Sequence, residues 1–423
     1  MLLQFSVNNF RSIKDTITFN MCTVTSEDSA HSFQVRNNHL LNSAVLYGAN
    51  ASGKSNVLKA MGFMRSLVLN KSKITQSTDI LPHEPFRLST ETEHASSYFE
   101  IVFFLESAKY RYGFESDSST VYAEWLFCDE NGKEARLFER DYEQNLYYVN
   151  KQRFKEGMGL KVPDNQLFIW KCDQNDGEIS KKILQWFNGF NFINGLESEG
   201  YLHVALKQME NDRAKSALLK LLKVADLGIE GMNTEEKNIP DDFIKNAPIP
   251  DEIKQKLLSS GDFTAIEIQT AHKKFNADNQ EIGSVLFGLD DDESQGTQKF
   301  FALSAPILDT LEKGKVLLID ELDASLHPML TECFIKLFNN KKLNQHNAQL
   351  IFATHDIHLL SVPELFERDQ IWFTEKNQYG STNLYSLLEY RKSNKGTDVR
   401  AADNLEKRYL QGRFGAVPYI GDL

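Results

Sequence analysis

Short apolar runs that end at glycine or polar residues recur along the chain and predict buried strands. Residues 44–47 form one such run, and helical spacing follows over residues 54–69. Residues 316–319 and 349–353 form two more, with a helical pattern between them. Short apolar strands that alternate with amphipathic helices are typical of a parallel sheet. We therefore expect an α/β core whose functional residues lie at the carboxyl ends of its strands.

Other segments follow different patterns. Residues 2–21 alternate apolar and polar positions, which predicts one or two strands. Residues 97–149 carry many Tyr, Phe, Val and Ile side chains between turn signals, a pattern that favours an antiparallel sheet built from hairpins. Helical spacing extends over residues 179–227, and the polar residues 228–262, with the two closely spaced prolines Pro248 and Pro250, favour a loop.

Composition and charge limit the class of protein. The 423 residues carry a formal net charge of −12 and contain no apolar run long enough to span a membrane. The first residues lack the features of a signal peptide, so we expect a cytoplasmic protein. The four cysteines show no paired spacing and do not indicate a zinc site or a disulfide framework. The acidic balance argues against a protein that coats nucleic acid, but local basic patches such as residues 391–413 leave nucleic-acid contacts open.

The strongest motif is Gly48-Ala-Asn-Ala-Ser-Gly-Lys-Ser55, between a predicted strand and a predicted helix. It fits the phosphate-binding loop G-x-x-x-x-G-K-[ST], in which backbone N–H groups and a helix N-terminus surround phosphates. We expect Lys54 to contact the β and γ phosphates and Ser55 to bind Mg²⁺. The predicted nucleotide contacts of this loop are Asn50, Ala51, Ser52, Gly53, Lys54, Ser55 and Asn56.

Two carboxylates directly follow the apolar run at residues 316–319. Asp320 stands at the predicted strand end, where a carboxylate is needed to hold Mg²⁺ near the phosphates. Glu321, one residue later, suits a general base that orients or deprotonates the attacking water. With the phosphate loop, this pair predicts nucleotide hydrolysis.

The sequence Asp-Glu-Leu-Asp-Ala-Ser-Leu-His-Pro at residues 320–328, followed by Thr354-His355 at a later strand end, is more specific. Together with the phosphate loop it resembles the ABC-type ATPase heads of the SMC and RecF class. The resemblance implies ATP as the nucleotide and a dimer-contacting role for Asp323. It also implies that His355 contacts the γ phosphate and acts with Lys54 and Glu321 in catalysis.

Two further matches belong to the same resemblance. Ser294 and Gly296, before a helical pattern, occupy the position of the ABC signature but depart from its usual Leu-Ser-Gly-Gly sequence. As signature residues they would bind the γ phosphate of the opposite subunit in a head-to-tail dimer, while an ordinary helix N-cap explains the same residues. Arg11, in Asn-Phe-Arg-Ser at residues 9–12, resembles a turn that lies against the nucleotide in SMC and RecF heads. Strand-end chemistry explains that turn almost as well.

The phosphate loop, the Ser-x-Gly-Thr sequence and the ending at residues 408–416 together resemble a bacterial family of compact AAA/ABC-like ATPases found beside restriction, abortive-infection and other anti-phage genes. This resemblance implies a homodimer or higher homo-oligomer that senses or gates a separate effector protein, often a nuclease. Two alternatives stay open: a RecF-like DNA-repair ATPase that binds duplex DNA, and an ATP-dependent assembly scaffold with little turnover.

The fold class that follows is α/β, a P-loop NTPase of the ABC-ATPase head type with a mixed sheet, an antiparallel β subdomain and a helical insertion. Residues 1–150 are predicted to form an N-terminal ATPase lobe with the phosphate loop and the β subdomain. Residues 151–285 are predicted to be a mostly helical insertion. Residues 286–423 are predicted to form a C-terminal lobe with the signature, the carboxylate pair, His355 and a tail.

Overall fold

The computed structural model divides the chain into two units. The first comprises Met1–Glu197, Asp309–Ala324 and Thr331–Leu423, and the second comprises Ser198–Leu308 and Ser325–Leu330. The residues that the structure describes are 1–23, 30–195, 201, 205–207, 209, 211–225, 227–238, 245, 250, 251, 254, 255, 258, 264–393 and 405–417.

Strands and helices are numbered in chain order over these described residues. The strands are β1 Leu2–Asn8, β2 Ile17–Asn20, β3 Ser32–Val35, β4 Asn38–Leu41, β5 Ser43–Tyr47, β6 Ser97–Leu105, β7 Ala108–Ser116, β8 Val121–Asp129, β9 Glu134–Asp141, β10 Leu146–Val149, β11 Phe190–Asn194, β12 Ile229–Asn238, β13 Thr264–Phe275, β14 Glu281–Gly288, β15 Val316–Asp320, β16 Gln349–Ala353, β17 Ile371–Lys376 and β18 Thr382–Ser386. The helices are α1 Lys54–Val68, α2 Phe168–Gln174, α3 Glu178–Asn188, α4 Asp212–Val224, α5 Gln295–Lys313, α6 Pro328–Asn339, α7 Leu387–Ser393 and α8 Leu405–Leu410.

The central element of the first unit is a six-stranded sheet in the order β11-β15-β16-β5-β17-β18. Its first five strands are parallel, and β18 pairs antiparallel with β17. Every residue of β5, β15 and β16 is buried, as expected for parallel strands covered on both faces. The parallel strands predicted from the three apolar runs are confirmed, and β18 makes the sheet mixed, as the predicted fold class has it.

A seven-stranded antiparallel sheet in the order β10-β9-β8-β7-β6-β1-β2 forms the second layer of this unit. It contains the hairpins predicted over residues 97–149, and β1 and β2 join its edge next to β6. Buried residues of this sheet, of α1 and of the six-stranded sheet form one hydrophobic cluster. Phe63 of α1 stacks on Phe99 of β6 with ring centroids 5.2 Å apart, which anchors α1 between the two layers.

The second unit contains α4, most of α5 and a three-stranded antiparallel sheet in the order β12-β13-β14. Asn211 caps α4, because its side chain accepts hydrogen bonds from the backbone N–H groups of Arg213 and Ala214 at 3.0 and 3.2 Å. Leu218 and Leu222, on the predicted apolar face of this helix, are buried.

The predictions of a mostly helical segment over residues 151–285 and a loop over 228–262 miss four strands. The structure has β11, β12 and β13 within the first range, and β14 begins there. Strand β11 is five residues long and starts two residues after α3 ends, so helical spacing obscures it. Strand β12 is rich in Glu, Lys and Asn, and its two large apolar side chains, Ile229 and Met232, are three positions apart, so it lacks the alternation of a strand. Most of residues 239–262 lie outside the described residues.

The segment that contains α8 packs on β17. Tyr409 and Phe414 both stack on Phe373, with ring centroids 5.8 and 5.6 Å apart, and the hydroxyl of Tyr385 donates to the carbonyl of Phe414 at 2.8 Å. One residue before Phe373, the buried indole of Trp372 faces Phe19, with centroids 4.9 Å apart. Of the predicted basic patch at residues 391–413, the side chains at 391–404 lie outside the described residues.

Candidate nucleotide-binding site

A cavity of about 710 Å³ opens at the carboxyl ends of the parallel strands in the first unit. The phosphate loop after β5 forms one wall, Glu321 follows β15, and His355 follows β16. The side chains that line the cavity are Asn50, Ala51, Ser52, Gly53, Lys54, Ser55, Asn56, Glu321, His355 and Lys376. All seven predicted loop contacts therefore lie together with two predicted catalytic residues.

The hairpin of β17 and β18 holds the phosphate loop in place. The hydroxyl groups of Ser52 and Thr374 share a hydrogen bond of 2.6 Å, and the Thr382 hydroxyl donates to the Ser52 carbonyl at 2.9 Å. Gly53 has φ +111°, and a Cβ at this position would overlap the side chain of Thr382. Glycine is thus required both by the left-handed backbone and by the close approach of the hairpin.

Lys54 is buried, and its ammonium group donates to the carbonyls of Gly48 and Ala49 at 2.8 and 3.2 Å. Loss of hydration on burial lowers the pKa of Lys54 to about 8, although the nearby carboxylates of Asp320 and Glu321 favour its charged form. The lysine side chain is thus held at the cavity by the loop itself.

The predicted magnesium ligands are adjacent. The Ser55 hydroxyl donates to Oδ1 of the buried Asp320 at 3.0 Å. No group of three or more His, Cys, Asp or Glu side chains suited to a metal occurs in the described part of the chain. One hydroxyl and one carboxylate still fit Mg²⁺, because this ion keeps several waters and takes further oxygen ligands from phosphates.

Strand β11 supports the carboxylate pair from the side. Asn194 stands opposite Asp320 in the parallel register, and the backbone N–H of Gly195 donates to the Asp320 carbonyl at 2.7 Å. A Cβ at Gly195 would overlap the carbonyl oxygens of Asp320 and Glu321. Glu321 itself has φ +54°, a left-handed conformation that non-glycine residues adopt at some energetic cost and often at functional sites.

His355 is exposed at the cavity, and its backbone is fixed by Asp323. The N–H of His355 donates to the Asp323 carboxylate at 3.2 Å. The next residue, Asp356, accepts a hydrogen bond at its carbonyl from the hydroxyl of Tyr47 at 3.1 Å. Asp323 therefore orders the turn that carries His355 within its own chain.

Ser12 of the predicted N-terminal turn contacts the phosphate loop. Arg11 does not line the cavity beside this loop, here called the nucleotide cavity. Asn56 donates to the Ser12 hydroxyl at 2.7 Å, which in turn shares a hydrogen bond of 2.8 Å with Thr382. Arg11 pairs with Glu84 and lines a different cavity. Arg11 also has a left-handed backbone, with φ +49°, as expected for a residue in a tight turn.

Ser294 and Gly296 lie in the second unit, at the start of α5. The Ser294 hydroxyl accepts a hydrogen bond from the backbone N–H of Thr297 at 3.2 Å, which is the geometry of an N-cap. Ser294 is exposed, and a Cβ at Gly296 would lie 3.1 Å from the Ser325 carbonyl. The N-cap interpretation accounts for these contacts, and the signature role stays a prediction.

The sequence interpretation missed Lys376, Thr374, Thr382, Asn194 and Gly195. Lys376 and the two threonines lie on β17 and β18. The sequences of these strands give no sign of the loop that Thr374 contacts 322 residues earlier. Asn194 and Gly195 follow a short run of Phe and Ile, and recognition of that run as a strand was the signal available to find them.

The sequence was compared with those of known protein families and of curated proteins. The family described as "AAA domain, putative AbiEii toxin, Type IV TA system" matches residues 43–361, which contain the phosphate loop, the carboxylate pair and His355. No curated protein matches the chain. None of the described helices has the length and apolarity needed to cross a membrane. Since the match covers more than half of the sequence, the chain belongs to this AAA-type P-loop ATPase family, which is linked to abortive infection.

Proposed function

We propose that this protein is an ABC-type ATPase that binds Mg²⁺-ATP and hydrolyses it at the interface of a head-to-tail homodimer. The observation that carries the proposal is the convergence of the phosphate loop, the Ser55–Asp320 pair, Glu321 and His355 at the edge of one parallel sheet. Such an edge is where α/β proteins bind nucleotides.

Each residue has a chemical role in this proposal. Lys54 and the loop N–H groups bind the phosphates, which requires the Lys54 ammonium to exchange loop carbonyls for phosphate oxygens. Ser55 and Asp320 hold Mg²⁺, which when bound neutralises phosphate charge. Glu321 lines the cavity with the phosphate loop and accepts a proton from the attacking water.

His355 and the second subunit would complete the site. His355 stands exposed on the turn ordered by Asp323, where its imidazole can contact the γ phosphate. Ser294 caps a 19-residue helix whose N-terminus carries partial positive charge, suited to a phosphate of the opposite protomer. In this arrangement neither protomer hydrolyses ATP alone.

The biological role proposed is anti-phage defence in which the ATPase senses or gates a separate effector, a nuclease being the leading class. Support comes from the family description, which names an abortive-infection toxin and a type IV toxin-antitoxin system. Among the residues that line the cavity with the phosphate loop, the carboxylate is Glu321. The proposed ATPase reaction uses this carboxylate, so it is not assigned to a second, damaging reaction. The damaging chemistry is accordingly assigned to a partner.

The test combines light scattering with phosphate release, with and without Mg²⁺-ATP. We expect the wild-type protein to release phosphate and Glu321→Gln to lose at least about 100-fold in turnover, because the general base is gone. The variant should bind ATP and stay as a dimer or larger oligomer. Glu364→Gln, which changes a carboxylate that does not line the cavity, serves as the control.

The outcomes separate the alternatives. Phosphate release that is unaffected by Glu321→Gln would remove the catalytic role of this residue. If the mass measured by light scattering is the same with and without ATP, for both the wild type and Glu321→Gln, the composite dimer is contradicted. Turnover that rises strongly on addition of duplex DNA and falls steeply with salt would favour the RecF-like repair ATPase.

A further inference from the structure

A second cavity, of about 550 Å³, lies beside α1 in the first unit and shares no lining residue with the nucleotide cavity. Lys59, Gly62, Phe63 and Ser66 recur at helical spacing, so one face of α1 forms a wall. Phe192 of β11 contributes another part of the lining. The cavity is therefore built from the helix that follows the phosphate loop and from the strand beside Asp320.

The charges of this cavity are unbalanced. Arg11, Lys59 and Arg65 contribute three cations, and Glu84 contributes one carboxylate, which pairs with Arg11. Neither Lys59 nor Arg65 has an ion-pair partner in the part of the chain that the structure describes. A half-buried cation without a counter-charge is costly, and an anion in the cavity would offset that cost.

Arg65 is held with its charge only partly hydrated. Its Nε donates to the carbonyl of Phe187 at 3.1 Å, which fixes the guanidinium along the wall of the cavity. Burial lowers the pKa of Arg65 because the charged form loses contact with water. Because its charge is only partly hydrated, this guanidinium would be stabilised by an anionic hydrogen-bond partner more than a freely solvated surface arginine would be.

Aromatic rings accompany the cations. Phe63 and Phe192 are half-buried and both line the cavity, which leaves part of each ring accessible. Gly62 keeps α1 close to β11, because a Cβ there would lie 3.3 Å from Cγ of Phe192. Accessible aromatic rings beside lysine and arginine are the combination that stacks a nucleobase while binding its phosphate.

We propose that this second cavity binds a nucleoside phosphate, with the phosphate at Lys59 and Arg65 and the base against Phe63 and Phe192. The proposal goes beyond the ATPase function, since it does not use the phosphate loop. A free mononucleotide and one nucleotide of a single strand present the same chemistry to these residues.

The experiment uses the full chain with Lys54→Ala, in EDTA, so that the phosphate loop contributes little to binding. Adenosine 5′-monophosphate and a 5′-phosphorylated thymidine tetranucleotide are titrated separately by calorimetry. We expect Lys59→Gln and Ser66→Glu each to weaken binding by about tenfold or more. Ser66 is exposed, so its substitution adds a repelling carboxylate without disturbing the core. Lys71→Gln, an exposed cation outside the cavity lining, should leave binding unchanged.

The two probes identify the source of the ligand. If the tetranucleotide binds more tightly by about tenfold or more, the ligand of the cavity is single-stranded nucleic acid. If the mononucleotide binds more tightly, the ligand is a free nucleotide. The proposal is overturned if neither probe binds the Lys54→Ala protein. It is also overturned if binding is insensitive to both Lys59→Gln and Ser66→Glu.

Discussion

At the scale of single residues, Lys54 links the electrostatics of the cavity to pH. Its pKa of about 8 means that, near this pH, a large fraction of the ligand-free protein carries a neutral amine. A triphosphate favours the ammonium form, so binding above pH 8 must take up a proton. The burial of this lysine within the phosphate loop is therefore expected to make phosphate binding sensitive to alkaline pH.

We predict that the affinity for Mg²⁺-ATP falls by up to about tenfold per pH unit above pH 8. At pH 8 about half a proton should be taken up per site, measured by calorimetry in buffers of different ionisation enthalpy. Lys54→Arg is the control, because a guanidinium stays protonated over this range. The same proton uptake in the arginine variant would show that another group titrates.

Gly195 packs closely against the backbone of the carboxylate pair Asp320 and Glu321. Gly195→Ala would push a methyl group into the Asp320 and Glu321 carbonyls and shift the carboxylate pair. We expect phosphate release to fall by about 10- to 100-fold, since a displacement of about 1 Å has effects of this size. Gly231→Ala, whose added methyl would make only an ordinary 3.5 Å contact, should keep full turnover. Wild-type turnover in Gly195→Ala would mean that β11 does not position the pair.

At the scale of elements, the β17–β18 hairpin is the support that turns a flexible glycine-rich loop into a formed site. Thr382 contacts the Ser52 carbonyl and Ser12, and Thr374 contacts the Ser52 hydroxyl. These bonds connect three segments that are far apart in the chain. The loop is thus ordered before any nucleotide arrives, which lowers the entropic cost of binding.

Thr382→Val tests this support, because valine has the same shape but its side chain makes no hydrogen bonds. We expect the dissociation constant for ATP to rise by about tenfold, which corresponds to the loss of about one to two hydrogen bonds. Thr382→Ser keeps the hydroxyl and should bind nearly as wild type. Equal affinity of the valine and serine variants, measured by titration, would contradict the role of the hairpin.

The same elements show what the sequence could predict. Ser55 and Asp320 are 265 positions apart, yet the sequence predicts that they lie near each other as Mg²⁺ ligands, because each belongs to a local motif at the end of an apolar strand. Thr374 and Thr382 belong to no motif, and their role arises only when β17 pairs beside β5. Arg11 was expected at the nucleotide, but Glu84 holds its side chain at another cavity. Contacts created by tertiary pairing alone were the ones missed.

At the scale of the whole molecule, the proposed head-to-tail dimer makes a prediction about mixed subunits. Lys54→Ala removes the phosphate-loop cation, and Ser294→Glu places a repelling carboxylate at the helix N-terminus that would face the partner's nucleotide. Each variant alone should be inactive in phosphate release. A mixed dimer would contain one site with both defects and one intact site.

An equal mixture of the two variants should therefore recover about one quarter of wild-type turnover, since half of the dimers are mixed and half of their sites are intact. Phosphate release from co-expressed, differently tagged variants measures this. Ser304→Ala changes a buried serine in the interior of α5 and should keep turnover, so it controls for general damage to that helix. Full activity of Ser294→Glu alone would exclude the composite site.

Strand β17 also carries a tryptophan, Trp372, whose fluorescence can report on the site. Trp372 is buried in this strand two residues before Thr374, the residue bonded to the phosphate loop, and its indole N–H has no hydrogen-bond partner among the described residues. A shift of the strand on nucleotide binding changes the surroundings of the indole against Phe19. Intrinsic fluorescence can thus follow occupancy of the site in real time without any label, and Trp372→Phe identifies its share of the emission.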